Sequence, residues 1–342
     1  MAGRPGSVTI ADVAREAGVS TATVSRVLNG TGTVSPAARD RVLAATTTLG
    51  YVTSSAAASL ASGRTRNVGI VVPVLNRWFF SSVVEGAQAE LAETGYDVTL
   101  YNLRGGHGIR QRVFSDFLRR QRVDGVIAVS LRLDEAEVAS LKAVGKPVVG
   151  LGGAIDGVPA YEVDDLEIAR LATDALVSLG HRRVVHLGSE PDSPDGFRLG
   201  EHRYEGYAAA MRAHGLEPAP NDLTADFTVA GGLAAGRRLF ASGDRPTAVF
   251  AASDEMAVGL MLAAREAGLS IPEDLSVVGI DDHELAETMG LTTIAQRPDE
   301  QGRRAAAHLV ALLRGEGEAP ESGVTALPYA LVERTSTAPP QR

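Results

Sequence analysis

The stretch Thr9-Ile-Ala-Asp-Val-Ala-Arg-Glu-Ala-Gly-Val-Ser-Thr-Ala-Thr-Val-Ser-Arg-Val-Leu-Asn29 reads as two short amphipathic helices joined through a glycine. Thr9 is placed to cap the first, with Asp12 three residues on to complete a capping box, and Ile10, Val13, Ala14 and Ala17 fall on one face. Gly18 ends that helix. Ser20 is placed to cap the second, whose inward positions are Val24, Val27 and Leu28. Thr21, Ala22, Ser25, Arg26 and Asn29 then face outward, a short polar surface with one cation. In a helix-turn-helix the N-terminal residues of the second helix reach base edges in the major groove, so Thr21 and Ala22 sit where sequence is read and Arg26 one turn later. A plain helical hairpin has the same outline. Against it stands a third helix, opened by Ser35 and Pro36, with Val42, Ala45, Thr46 and Leu49 on one face to close a three-helix core.

Charge divides the chain the same way. The 342 residues carry a net charge of −9, yet residues 1–66 hold seven arginines against three acids, which makes that part +4 and the remainder −13. A small basic head meets phosphates while an acidic body repels them, which limits non-specific binding. The chain has no cysteine, which excludes disulfides, thiolate metal sites and a cysteine nucleophile. Neither a signal-peptide core nor an apolar run of membrane-spanning length is present, so a cytoplasmic protein is expected. No Gly-x-x-x-x-Gly-Lys-Ser/Thr loop, His-Glu-x-x-His or Gly-x-Ser-x-Gly occurs; an enzyme is disfavoured and no metal or cofactor is implied. An exported sugar-binding protein would need a leader and no DNA-reading head.

Beyond residue 66 the pattern alternates strand and helix. An apolar run at 67–75 suits a strand buried on both faces of a parallel sheet, and 80–93 carries Val83, Val84, Ala87 and Leu91 at helical spacing. Strands at 96–103, 125–129 and 147–150 with helices at 107–121 and 134–144 complete one set. A second set has helices at 166–179, 202–214, 230–241 and 254–267 and strands at 184–188, 225–228, 248–251 and 276–280. Two such sets predict two parallel sheets covered by helices, with ligand in a cleft at the strand carboxyl ends.

The run Ala22-Thr-Val-Ser-Arg-Val-Leu-Asn29, with Val34-Ser35, Leu49-Gly-Tyr51, the stretch 56–60, Leu179-Gly-His181, Val277-Val-Gly-Ile-Asp-Asp282 and Leu291-Thr-Thr-Ile294, resembles the LacI/GalR family of bacterial repressors over nearly the whole chain. The resemblance implies an all-α helix-turn-helix headpiece on an α/β body of two doubly wound parallel-sheet subdomains, periplasmic-binding-protein-like. It implies a homodimer that grips near-palindromic double-stranded operator DNA and answers a small effector. The expected segments are a headpiece at 1–53, a hinge helix and linker at 54–66, one subdomain at 67–162 with 292–319, another at 163–291 with 320–334, and a disordered tail at 335–342.

Carried over residue by residue, the DNA contacts are Thr9, Ser20, Thr21, Ala22, Thr23, Ser25, Arg26, Asn29, Ser35, Tyr51, Ser54, Ala57 and Leu60. The nine residues 54–62 are too few for a stable helix alone in water, so this hinge should order on DNA beside its partner's, with Leu60 wedged into the minor groove. A flexible Ala/Ser linker is the alternative, since Thr53 and Ser54 replace the family's frequent proline and asparagine. Arg39 and Arg41 are candidate phosphate contacts, and helix 80–93 a candidate dimer face.

The effector contacts so implied are Asn76, Trp78, Phe79, Asp164, Arg203, Ser253, Asp254 and Asp281. In the loop Asn76-Arg-Trp-Phe-Phe80 the family's usual proline is replaced by Arg77-Trp78, and Trp78, the chain's only tryptophan, is a candidate platform for a sugar ring or a base. Asp165 is an alternative cap for the helix behind it. Carboxylates, an arginine and aromatics together suit a polyol such as a sugar, with a nucleobase as the alternative.

Overall fold

In the computed structural model, which describes residues 8–29, 32–51, 63–105, 107–120, 122–189, 199–241, 245–316 and 323–341, the chain divides into two compact units, one through Arg66 and one from Asn67. The hinge segment 54–62, and with it Ser54, Ala57 and Leu60, lies outside the described residues.

The first unit holds α1 (Ile10–Ala17), α2 (Thr21–Asn29) and α3 (Pro36–Leu49). The expected capping box forms: the Thr9 hydroxyl accepts the Asp12 N–H at 3.4 Å, and the Asp12 carboxylate accepts the Thr9 N–H at 3.0 Å. The Ser20 hydroxyl accepts the Thr23 N–H at 3.2 Å and so starts α2. Val13, Ala17, Val24, Val27, Val42 and Ala45 are buried together. Gly18 and Gly50, at φ 63° and 60°, close α1 and α3 in the left-handed conformation that a glycine adopts without strain.

The second unit is built on two six-stranded sheets. The first runs β11 (Val324–Ala326), β5 (Ala160–Glu162), β4 (Val148–Leu151), β3 (Gly125–Val129), β1 (Asn67–Val72), β2 (Asp97–Asn102), all parallel. The second runs β12 (Ala330–Val332), β10 (Thr292–Ala295), β9 (Ser276–Asp281), β8 (Ala248–Ala251), β6 (Val184–Ser189), β7 (Thr224–Ala225), parallel except that β12 opposes β10. β3, β4, β8 and β9 are buried at every position, as the continuous apolar runs require.

Helices cover both sheets in close pairs. α4 (Trp78–Glu93) lies against α12 (Pro298–Arg314), α7 (Asp165–Ser178) against α8 (Leu199–Ala213), and α9 (Val229–Ala241) against α10 (Asp254–Glu266). α5 (His107–Arg112), α6 (Glu135–Ala143) and α11 (Glu284–Met289) complete the layers. Glycine sets the closest approach: a Cβ on Gly86 of α4 would lie 2.0 Å from the Asp299 carbonyl oxygen, and one on Gly302 of α12 2.1 Å from that of Val83.

The chain passes between the sheets at 163–164, 296–297 and 327–329. These crossings change the expected segments. The strand at 292–295 joins the second sheet and that at 324–326 the first, the reverse of the grouping read from sequence, because β10 pairs with β9 and β11 with β5. The tail is not disordered through Gln341 either. The Val277 N–H donates to the Ser336 carbonyl at 2.9 Å, the Thr292 N–H to the Ser336 hydroxyl at 2.8 Å, and the Ala338 N–H to the Ser276 hydroxyl at 3.1 Å. His181 accepts or donates at Thr247 and reaches the Ala338 carbonyl at 2.9 Å, which makes it a fastener of this tail.

Helix α4, the candidate dimer contact, turns one face into its own chain and leaves another outward. Phe80, Val83, Ala87 and Leu91 are buried, and the residues left outward are Ser81, Glu85, Gln88, Ala92 and Glu93. Among the described residues of the second unit, exposed large apolar side chains stand at Leu262 of α10, Leu285 of α11, Val324 and Tyr329. Among the described residues no helix is long and apolar enough to cross a membrane.

Candidate functional site

In the headpiece, the cap at Ser20 and the buried Val24 and Val27 orient α2 so that Thr21, Ala22 and Arg26 are exposed, while Thr23 and Ser25 are half-buried. Asn29 is the last residue of α2. The hydroxyl of Thr9 is held by Asp12, whereas Ser35 precedes α3 without a side-chain capping bond, which leaves that hydroxyl available to a phosphate. Tyr51 packs half-buried on the headpiece core. Arg39 is exposed. Arg41, by contrast, donates its Nε–H to the Ala17 carbonyl at 3.1 Å, where it satisfies the C-terminus of α1 and acts as a structural residue.

Between the sheets, at the carboxyl ends of the strands, lies an open cleft. Both sheets contain the strand order 2-1-3-4-5 with its reversal between the first and third strands, and a crevice outside the strand ends at that point is where such sheets bind ligands. Among the described residues, Asp165, Asp226, Glu255 and Asp281 line it, with Arg77 and Arg203 as cations. Phe79, Phe80 and Phe227 supply apolar walls, and Ser130, Ser253, Gln296 and Gln301 supply polar, uncharged ones.

Arg203, on α8, is the fixed point of the site. Its Nε–H donates to Asp165 at 2.8 Å and one Nη1–H to the Ala252 carbonyl, and its side chain is only 5 % exposed. Burial raises the Asp165 carboxyl above its ordinary range, against the pull of the Arg203 guanidinium. Asp281 accepts the Gln296 Nε2–H at 2.8 Å, and Gln301 in turn donates to the Gln296 carbonyl at 2.7 Å. Burial holds the Asp281 carboxyl well above the usual carboxylate range, with Asp254 and Glu255 adding to it and Arg203 opposing. The backbone here is strained, Asp281 at φ 130° and Asp282 at φ 58°, and Arg334 secures the bend by donating to the Asp282 carboxylate at 2.7 Å and the Leu291 carbonyl at 2.9 Å.

Of the eight effector contacts expected, Phe79, Arg203, Ser253 and Asp281 line the cavity. Asp164 does not. It caps α7, accepting the N–H groups of Leu166 and Glu167 at 3.0 and 3.1 Å, while its neighbour Asp165 enters the site; only the partner on α8 distinguishes the two acids. Asn76 is exposed and accepts from Arg104 at 2.6 Å. The Trp78 ring lies against His283, centroids 4.9 Å apart.

Asp254 sits behind the site, buried, accepting the Thr293 hydroxyl at 2.7 Å and the His283 N–H at 2.9 Å. Burial pushes its carboxyl up to about 7. The folded chain therefore holds this proton more tightly than the unfolded one, so stability falls as pH rises from the ordinary carboxylate range through about 7, by up to roughly 1.4 kcal/mol per unit. Urea midpoints measured at several pH values across that window should fall with pH in the wild type and run flatter in Asp254→Asn.

The lining residues not expected as contacts from sequence are Arg77, Phe80, Ser130, Gly152, Val163, Asp165, Leu199, Asp226, Phe227, Glu255, Gln296 and Gln301. Most follow the end of a strand, a signal that was available. Ser130 and Phe227 stand at φ 46° and 57°, which no residue pattern announces.

The profile described as bacterial regulatory proteins, lacI family, matches residues 9–54, and that of a periplasmic binding protein-like domain matches residues 173–337. The HTH-type transcriptional regulator CelR of Thermobifida fusca is 36 % identical over 91 % of this chain and 94 % of its own length. Catabolite control protein A of Priestia megaterium is 31 % identical over 97 % and 99 %. Among solved structures, a transcriptional regulator CelR–cellobiose complex is similar with TM-score 0.69 and 34 % identity over 96 % of this chain and 99 % of that one. The lac repressor dimer bound to operator and the anti-inducer ONPF is similar with TM-score 0.83 and 29 % identity over 97 % and 100 %.

Proposed function

Because this chain belongs to the lacI family of bacterial regulatory proteins, we propose that it is a homodimeric cytoplasmic repressor, without catalytic activity, whose two headpieces read a near-palindromic operator and whose cleft takes a neutral sugar that changes operator affinity. The observation that carries the ligand class is the cavity itself. Among the described residues of the cleft, four carboxylates against two guanidiniums disfavour an anionic, phosphorylated ligand, carboxylates and amides accept and donate to hydroxyls, and three phenylalanines suit the apolar faces of sugar rings. A similar protein of nearly equal length is known as a complex with cellobiose. Leu262 and Leu285, exposed on neighbouring helices, are the candidate contact with a second copy, since exposed apolar residues of this size are otherwise unfavourable.

Anisotropy of a labelled operator obtained by in vitro selection tests this reading. Affinity is expected to fall steeply with salt, about 10³-fold or more between 50 and 200 mM if six or more phosphates are contacted. Saturating cellobiose is expected to shift it further, by an amount equal to the reciprocal effect of operator on cellobiose binding. Equal affinity for scrambled DNA would overturn the operator reading. An unmoved curve with cellobiose, alongside a thermal shift with adenine, would replace the sugar by a base.

A further inference from the structure

The loop that carries Arg77 and Trp78 belongs to the first sheet, yet its contacts are with the second. Arg77 Nη2–H donates to the Asp226 carbonyl at 3.1 Å, after β7, and its guanidinium stands 4.0 Å from the Asp226 carboxylate. Burial raises the carboxyl of Glu255, in the first turn of α10, against the pull of the Arg77 guanidinium and the Trp78 N–H beside it. The indole lies on His283, after β9. Helix α4 explains why these contacts matter. It begins at Trp78 with Arg77 in the capping position and no side-chain capping bond of its own, so its first N–H groups need an acceptor from elsewhere. A carboxylate at a helix N-terminus satisfies a donor and the helix dipole together. Glu255 brings its carboxylate to this terminus from the opposite side of the cleft.

We propose that Arg77, Trp78, Glu255 and His283 form a clasp across the cleft mouth that favours the closed arrangement and slows release of the ligand. Trp78 is then a closing residue, not a platform for a sugar ring. The loop is anchored on its own side, since Arg77 also donates to the Asn76 carbonyl at 3.1 Å and Arg104 holds the Asn76 side chain at 2.6 Å. Opening the cleft breaks the Arg77, Glu255 and His283 contacts at once, and loss of one cap of this kind shifts an open–closed equilibrium by about tenfold. The role in ligand release rests on the cleft being the effector site; the clasp itself does not.

Trp78 is the chain's only tryptophan, so intrinsic fluorescence of the full-length protein reads this position alone. His283 is outside the cavity lining, and its Nδ1 accepts the Leu285 N–H at 2.9 Å. His283→Asn keeps an acceptor for that N–H and removes the ring. Acrylamide quenching of Trp78 is expected to rise by about twofold in His283→Asn and in Arg77→Met as the open population grows. Stopped-flow release of cellobiose, followed by the same emission, should accelerate several-fold in His283→Asn. Unchanged quenching in both variants overturns the clasp whichever ligand the protein takes. Increased quenching with unchanged cellobiose release overturns its role in retention. If calorimetry shows no binding of cellobiose to the wild type, the sugar reading fails while the quenching comparison still decides the clasp.

Discussion

Arg203→Met is expected to lower the melting temperature by about 10 °C and to abolish the effector response. Arg203 is the partner that offsets Asp165, and removing one side of such a pair leaves a carboxylate largely out of water, a loss of about 3 kcal/mol or more. Its Nη1–H bond to the Ala252 carbonyl is lost as well. Differential scanning calorimetry of the single variant and of Arg203→Met/Asp165→Leu separates stability from recognition. The double variant, with no stranded charge, should regain most of the melting temperature. It should still show no thermal shift with a ligand that shifts the wild type, because the guanidinium and carboxylate that would face the ligand are gone. A double variant that responds to ligand would remove Arg203 from the site.

The second large effect is at Gly302. Valine there would put its Cβ 2.1 Å from the Val83 carbonyl oxygen and 2.9 Å from the Ala87 nitrogen, and both are backbone atoms that cannot rotate away. α4 and α12 would have to separate, opening the core at Val83 and Ala87. The expected cost is about 3 kcal/mol or more, read as poor soluble yield or a depressed urea midpoint. Gly108→Ala is the matched control. Nothing lies within 4 Å of a Cβ built there, so it should be neutral or stabilise its helix by up to about 1 kcal/mol.

The headpiece was legible because its rules are local. Thr9 with Asp12, Ser20 with Thr23, and the glycines at 18 and 50 act within a few residues, and the same arrangement of donors and acceptors stands in the structure. The alternation of strand and helix was equally open to reading, since period and apolar runs are properties of short windows. Which sheet receives a three- or four-residue strand is not such a property. Thr292–Ala295 and Val324–Ala326 were exchanged because pairing is decided by where the chain crosses, and neither segment carries that information. The cleft was half legible for a related reason. Arg203 and Asp281 follow recognisable motifs, but Asp164 and Asp165 are indistinguishable until α8 brings Arg203 to one of them. That Arg41 also donates to the Ala17 carbonyl, 24 residues away in sequence, was not legible, because nothing local signals that this carbonyl needs a donor.

The glycine contacts have a mechanical meaning. Gly206 of α8 meets the Leu166 carbonyl oxygen, and Gly232 and Gly259 join α9 to α10 as Gly86 and Gly302 join α4 to α12, each at a backbone separation with no side chain to compress. Side-chain packing yields a little under load; backbone on backbone does not. Each helix pair is therefore held backbone to backbone, while the two sheets are joined through three short crossings, at 163–164, 296–297 and 327–329, the middle one containing Arg297 at φ 51°. Were the sheets to rotate about those crossings, each helix pair would be expected to turn as one body with the sheet it covers.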